Sequence, residues 1–309
     1  MKLKHLLSTK QFTDSNMVVE LLDLAKKMEA SVKSKKVKQS LKGKIIACLF
    51  FEPSTRTRLS FSAAALRLGA GIIQMENGNV SSSVSKGETI EDTTKIVNGY
   101  ADCIVMRHPL EGSAERAAMV SDVPIVNAGD GGNEHPTQSL TDVYTIRKEK
   151  GKLSNLNIAM VGDLLYGRTT HSLLTLLSLF PNNKFYFVAP DRLKMPQQFK
   201  DLLKSRNSSF EETDKFEKVF DKADVIYMTR VQKERFASSE EYEILKDAYI
   251  LDKKIMSKLK KDVLILHPLP RINEIAPGVD ADPRAGYFRQ ARNAVFVRMA
   301  ILQSLLAKK

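Results

Sequence analysis

The sequence predicts an α/β protein made of two parallel-sheet βα domains joined by interdomain helices. Two observations carry this. Short apolar runs of strand length alternate with helical periodicity along nearly the whole chain, and two such series of similar size follow one another. Alternation of this kind means a parallel sheet, because each parallel strand needs a crossover helix to bring the chain back to the same edge. The 309 residues are 43% apolar and 27% charged, a globular balance that excludes a disordered or fibrous chain and leaves room for two cores.

Residues 14–33 place Val18, Leu21, Leu22 and Ala25 near the 3.6-residue period of a helix, and the lysine-rich KSKKVK stretch follows as a hinge. Strands are expected over residues 44–51, 72–76, 102–107 and 124–127, with helices over 58–68, 91–100 and 113–121 between them. The stretch 77–86, NGNVSSSVSK, has no periodicity and reads as a mobile loop. Residues 136–150 open with a proline and are followed by Gly151, the punctuation of a helix, and the main domain boundary is placed there. Strands are expected again over 157–161, 184–189, 224–229 and 262–266. A last helix, 283–306, carries Val295, Val297, Ala300, Ile301 and Leu305 and reads as a second crossing between domains.

Only two cysteines occur, Cys48 and Cys103, each inside an apolar run where a thiol behaves as a small buried hydrophobe. A disulfide framework and a cysteine zinc site are therefore not expected. The N-terminus is too weakly apolar for a secretory signal, and no run of about 18 apolar residues could span a bilayer. The expectation is a soluble cytoplasmic protein with no membrane association.

Lys and Arg number 48 against 36 Asp and Glu, so the formal charge is +12, shared by both halves rather than held in a tail. Such an excess suits nucleic acid, a membrane surface or small anions. A nucleic-acid module is disfavoured because tryptophan is absent, tyrosines are scattered and no binding motif is present. Small anionic substrates remain.

Ligands of parallel sheets collect beyond the carboxyl ends of strands, where helix N-termini aim unpaired N–H groups at anions. The first strand ends in FFEPSTRTRLSF, so Ser54, Thr55, Arg56 and Thr57 fill the first turn of a helix and make a concentrated anion cradle. Arg56 adds a planar fork suited to phosphate oxygens. Four more strand ends deliver basic or amide groups: Arg107 and His108; His135 and Gln138; Arg168; Arg230 and Gln232. His267, Leu269, Pro270 and Arg271 follow the last strand. Uncompensated arginines on one rim repel each other unless an anion is present, so their joint occurrence points to a binding site.

Gly162 to Thr169, GDLLYGRT, nearly matches the phosphate-loop pattern of nucleotide-binding proteins. Arg168 stands where that pattern needs a lysine, and a bulkier guanidinium is not an equivalent bridge between nucleotide phosphates. An ATP or GTP loop is disfavoured, and dinucleotide binding more so, since no G-x-G-x-x-G occurs.

With these residues in view, the sequence resembles the aspartate/ornithine transcarbamylase family. FFEPSTRTRLSF, ending at Phe61, and HPTQ at 135–138 are similar to the signature of the whole family. GDLLYGRTTHSL, YMTRVQKER and HPLPR resemble its aspartate branch, whereas the GDxNN and HCLP of the ornithine branch are missing. The resemblance implies transfer of a carbamoyl group from carbamoyl phosphate to the α-amino group of L-aspartate in pyrimidine biosynthesis, with no cofactor and no metal, in a cleft between the domains. It implies a carbamoyl-phosphate-binding domain over residues 1–135 with the C-terminal helix 286–309 packing back on it, a linking helix over 136–150 and an aspartate-binding domain over 151–285.

By the same resemblance Ser54, Thr55, Arg56 and Thr57 hold the phosphate, with Arg107 near it, and Thr57, Arg107 and His135 hold the carbamoyl oxygen. Gln138 and the carbonyls of Leu269 and Pro270 orient the carbamoyl amino group. Arg168 and Arg230, with Gln232, meet the two carboxylates of aspartate. The family pattern SxxxKGE falls at Ser82 to Glu88, so Ser82 and Lys86 would enter the site of a neighbouring subunit in a homotrimer. Ser85 precedes Lys86 where the enteric form has a second lysine, so one lysine alone carries over. Some family members associate with zinc-containing regulatory chains, and any such zinc would belong to that partner, because this chain lacks a four-cysteine cluster. The alternative within the enzyme class is a carbamoyltransferase for another amino acid.

Overall fold

The computed structural model describes residues 3–76, 87–232, 236 and 238–307. The chain divides into two compact units, one of Met1–Tyr144 with Asn293–Lys309, the other of Thr145–Arg292.

The first unit runs α1 (Ser15–Lys33), β1 (Ile45–Phe50), α2 (Thr55–Arg67), β2 (Gly71–Glu76), α3 (Ile90–Asn98), β3 (Cys103–His108), α4 (Ser113–Val120) and β4 (Ile125–Asp130). Its sheet has the order β2-β1-β3-β4, and all three pairings are parallel, as the alternation predicts. The period of two along a strand sends Ala47, Leu49 and Phe51 to one face. There they pack with Ile104, Met106 and Ile125 under Ile90, Val97, Ala114 and Ala117 of α3 and α4. Ile46, Cys48 and Phe50 point to the other face and are equally buried. In α1 the buried residues include Val18, Leu21, Leu22 and Ala25, the stripe read from periodicity, and Asp14 caps the helix by accepting from the amides of Asn16 and Met17. The N-terminal segment lies beside β4, where Leu6 donates to Ile125 O and accepts from Asn127 N, both at 2.8 Å.

The helix α5 (Pro136–Lys150) leads into the second unit, which continues with β5 (Asn157–Val161), α6 (Arg168–Leu177), β6 (Lys184–Val188), α7 (Gln197–Ser205), β7 (Ser209–Thr213), β8 (Val225–Met228), α8 (Ser239–Leu245), α9 (Lys253–Met256) and β9 (Leu264–Leu266). The final helix, α10 (Tyr287–Leu306), returns the chain to the first unit. The second sheet is also parallel throughout, in the order β7-β6-β5-β8-β9.

Two elements differ from the sequence expectation. The strand β7 is not legible because SFEET has no apolar alternation; it is an exposed edge strand whose carboxylates pair with lysines, Glu211 with Lys184 at 2.5 Å and Glu212 with Lys200 at 3.0 Å. Charged edges of this kind discourage pairing with other chains. The last helix begins at Tyr287 rather than at residue 283, because Ala285 forms a parallel bridge with Ile265 and Gly286 N donates to Ile265 O at 2.8 Å. Those backbone bonds hold residues 284–286 in the sheet's plane and delay the helix.

Cys48 and Cys103 are fully buried in β1 and β3. Burial pushes the Cys48 thiol up to about 12 and raises Cys103 as well. A thiol reagent at pH 8 is therefore expected to label the native protein far more slowly than the guanidinium-unfolded chain, in which two thiols react; rapid labelling of the native form would refute the burial of these strands.

Candidate active site

Each sheet has one place where strand order reverses, between β1 and β3 in the first unit and between β5 and β8 in the second. Crossovers on either side of a reversal leave to opposite faces and open a crevice at the carboxyl edge. Arg56 and Arg107 follow or end the strands that flank the first reversal and Arg168 and Arg230 follow those that flank the second, whereas Arg271 follows the edge strand β9 and is paired with Asp280.

In the first unit, Ser54 is the N-cap of α2 but its side chain makes no capping bond. Thr89, at the start of α3, does cap its helix, accepting from Asp92 N at 3.1 Å. The first-turn amides of α2 thus lack a capping side chain, and the positive end of the helix is left facing the crevice. Arg56 is exposed here and has no carboxylate partner among the described residues. Arg58, two residues on, is committed elsewhere, bridging to Glu76 at 3.0 Å and donating to Gln74 Oε1 at 3.3 Å on β2.

Arg107 lies beside β1, paired in register with Phe50. Its Nη2 is 2.5 Å from Glu52 Oε1 and its Nη1 donates to Ala128 O at 3.3 Å. The expected uncompensated arginine is therefore corrected at this position: Glu52 answers the charge of Arg107, and an incoming anion competes with that carboxylate. His108 serves the fold. Its Nδ1 accepts from Leu110 N at 3.0 Å, its ring lies 4.7 Å from Phe51, and burial lowers its pKa, so the imidazole is neutral.

His135 and Gln138 open α5, and both sit on a braced turn. Glu134 accepts from Ser8 Oγ at 2.6 Å, Thr9 N at 2.7 Å and Thr9 Oγ1 at 2.8 Å. Asp130 accepts from Asn127 Nδ2 at 2.9 Å, Gly112 N at 3.0 Å and Glu134 N at 3.2 Å. These bonds fix the residue immediately before His135, which is itself buried. Gln138 Nε2 donates to Asp142 Oδ1 at 2.7 Å.

In the second unit, Gly162 ends β5 with φ +118°, and a Cβ there would lie 2.3 Å from Thr229 O. The close approach of the β5 and β8 ends thus requires glycine. The following loop is filled from within. Asp163 Oδ1 accepts from Tyr166 N at 2.9 Å and His171 Nε2 donates to Leu164 O at 2.8 Å. A carboxylate inside the loop opposes nucleotide phosphates, in line with the disfavoured phosphate-loop reading. Arg168 begins α6, and Arg230 and Gln232 follow β8; Gln232 Nε2 donates to Tyr166 O at 3.0 Å, tying the two loop ends together. Beyond β9, His267 Nδ1 accepts from Leu269 N at 2.8 Å, and its Nε2 meets Glu274 Oε1 at 2.7 Å. Glu274 also accepts from Ile272 N at 3.1 Å, so a buried dyad holds the turn that carries the carbonyls of Leu269 and Pro270.

Ser54, Thr55, Arg56, Thr57, Arg107, His135 and Gln138 belong to the first unit, and Arg168, Arg230, Gln232, Leu269 and Pro270 to the second. Ser82 and Lys86 lie outside the described residues. The supporting carboxylates Glu52, Glu134 and Glu274 were not legible as such; the available signal was that Glu52 and Glu134 stand within two residues of the Pro-Ser and His-Pro helix starts.

His171 is buried against Phe199, ring centroids 4.2 Å apart, and desolvation lowers its pKa to about 4. A histidine depressed below its ordinary 6.5 favours the neutral form in the fold, so stability is lost as pH falls from about 6.5 towards 4, by roughly 3 kcal/mol at the limit. Urea midpoints should fall across this window in the wild type and less steeply in His171→Gln; parallel curves would refute a neutral buried His171. Gly162→Ala should cost at least about 2 kcal/mol of stability, read as a lower urea midpoint, from strain at φ > 0 added to the clash with Thr229.

Comparison with known proteins gives a consistent result over both units. Residues 4–148 match the model of the aspartate/ornithine carbamoyltransferase carbamoyl-P binding domain, and residues 154–305 match that of the Asp/Orn binding domain. The chain is 56% identical over 272 residues, 88% of its length and 89% of the relative's, to the aspartate carbamoyltransferase catalytic subunit of Clostridium novyi (strain NT). Among solved structures it is similar to the catalytic subunit of M. Jannaschii aspartate transcarbamoylase, with TM-score 0.91, 48% identity and 98% of each chain covered. It is also similar to aspartate transcarbamoylase from Trypanosoma cruzi in complex with carbamoyl phosphate and aspartate, with TM-score 0.93, 41% identity, and 98% of this chain and 97% of that one covered.

Proposed function

The chain belongs to the aspartate/ornithine carbamoyltransferase family, and we propose that it is an aspartate carbamoyltransferase catalytic chain. It transfers the carbamoyl group of carbamoyl phosphate to the amino group of L-aspartate, giving N-carbamoyl-L-aspartate and phosphate, a step of pyrimidine biosynthesis carried out in the cytoplasm. The coincidence of the two anion-suited clusters with the two strand-order reversals supports this most directly.

In this reading the phosphate of the donor rests on the uncapped first turn of α2, with Ser54, Thr55, Arg56 and Thr57 as its ligands. Thr57, Arg107 and His135 hold the carbamoyl oxygen, which gains negative charge as the amine attacks the carbonyl carbon. Stabilisers of that kind each contribute about 10² to 10³ in turnover. Gln138 and the carbonyls of Leu269 and Pro270 orient the carbamoyl amino group. In the second unit Arg168 and Arg230, with Gln232, take the carboxylates of aspartate by bidentate contacts that an ammonium would not reproduce. When the C–O bond to phosphate breaks, the departing phosphate accepts the proton from the amine, and positioning supplies much of the acceleration.

The same reading assigns a homotrimer with shared sites. Support comes from the edge of the first sheet: β2 is an outer strand, Ile73 on one of its faces is 38% exposed, and Leu59 and Leu66 of α2, which packs on the other face, are 53% and 62% exposed. A second copy of the chain would cover apolar side chains along this edge, and β2 leads directly into the residues that include Ser82 and Lys86. In the neighbour's site Ser82 and Lys86 would act in trans, with Lys86 meeting the aspartate.

A bisubstrate mimic carrying one phosphonate and two carboxylates should bind the wild type and lose at least about tenfold in affinity in both Arg56→Ala and Arg168→Ala, since each removes a charge-assisted contact. Saturable carbamoylation of ornithine with none of aspartate would overturn the assignment. For the shared site, inactive Arg56→Ala and Lys86→Ala chains should regain activity when mixed and reassembled, and no recovery would exclude sharing.

A further inference from the structure

Among the described residues of the first unit the most deeply buried cation is Arg298 of α10, 2% exposed. Its guanidinium carbon lies 4.8 Å from the Phe61 ring centroid, and its Nη1 donates to Ser60 Oγ. Ser60 Oγ in turn donates to Arg56 O at 2.5 Å, with Thr57 O at 3.0 Å. One hydroxyl thus links a buried guanidinium to the backbone of the turn formed by Ser54 to Thr57.

This arrangement is poor for stability alone. Arg298 Nε has no hydrogen-bond partner among the described residues, and burial drives its pKa down to about 9, with the charge of Arg107 acting in the same direction and that of Asp142 opposing it. At neutral pH the group remains a cation, held where a methionine would be cheaper to bury.

We propose that Arg298 is a positioning residue for the anion cradle. Through Ser60 it sets the carbonyls of the first turn of α2, and its charge raises the positive potential behind Arg107 and the turn's amides. Both effects tighten binding of the phosphoryl group, with no contact between Arg298 and the ligand. The inference rests on the reading of that turn as the phosphate site.

The test uses the full chain and two probes, inorganic phosphate and carbamoyl phosphate, in calorimetric titrations of wild type, Ser60→Ala, Arg298→Lys and Arg298→Met, beside Arg56→Ala. Ser60→Ala leaves a buried guanidinium donor without its partner, so the melting temperature should fall modestly, while alanine keeps the helix and phosphate binding by the folded protein weakens several-fold. Arg298→Met should weaken it by about tenfold or more, and Arg298→Lys by less, because the charge survives without the planar fork. In turnover, KM for carbamoyl phosphate should rise with KM for aspartate unchanged, a split that simple loss of folded protein does not produce. Wild-type phosphate affinity in both Ser60→Ala and Arg298→Lys overturns the proposal, and these two decide it if Arg298→Met does not fold. If the wild type binds neither probe, or Arg56→Ala binds both as well as the wild type does, the phosphate site itself is misassigned and the inference falls with it.

Discussion

A parallel sheet whose strand order reverses cannot cover its own carboxyl edge at the reversal, because the two neighbouring crossovers leave on opposite faces. In this chain the constraint operates twice, between β1 and β3 and between β5 and β8. What lies at each gap is then decided by the residues that end those strands. At the first, the helix that follows begins without a side-chain cap, so its amides face outward. At the second, Gly162 lets the two strand ends approach until no side chain would fit between them. Both gaps are lined by guanidinium groups, and the chemistry proposed for the chain is that of anions held at helix starts.

Cations gathered at one edge need local compensation when no ligand is bound. Arg107 finds it in Glu52, and buried carboxylates elsewhere take a supporting part. Glu134 gathers three donors from the N-terminal segment before His135, and Glu274 fixes the imidazole of His267 beside the Leu269–Pro270 turn. The residues that touch substrate in the proposed mechanism are therefore held by a second set of polar groups, each with its own hydrogen bonds. Precise placement is what such a reaction requires, since the proposed transfer uses no protein base and depends on orientation and charge.

Much of the fold was readable because burial imposes periodicity. β1, β3, β5 and β8 are covered on both faces and appear as continuous apolar runs, and α1 shows its stripe at Val18, Leu21, Leu22 and Ala25. β7 was not readable, since an exposed edge strand has no buried face to impose alternation. The start of α10 is not legible in the sequence because a backbone bridge from Ala285 to Ile265 competes with the helix, and such pairing leaves no local mark.

The amino-acid order by itself determined the parallel α/β class, the division into two series, the anion-suited turns at Ser54 to Thr57 and the arginines at the strand ends. These are local properties, set by period, by helix-start chemistry and by side-chain charge. Only the tertiary structure decided which strands are neighbours, and hence that these turns fall at the order reversals. It also decided that Glu52 neutralises Arg107, that residues 6–9 brace the turn before His135, and that Arg298 reaches Ser60 across 238 positions of chain. Such pairings are fixed by packing between distant segments, and charge–charge distance in space has no counterpart in sequence separation.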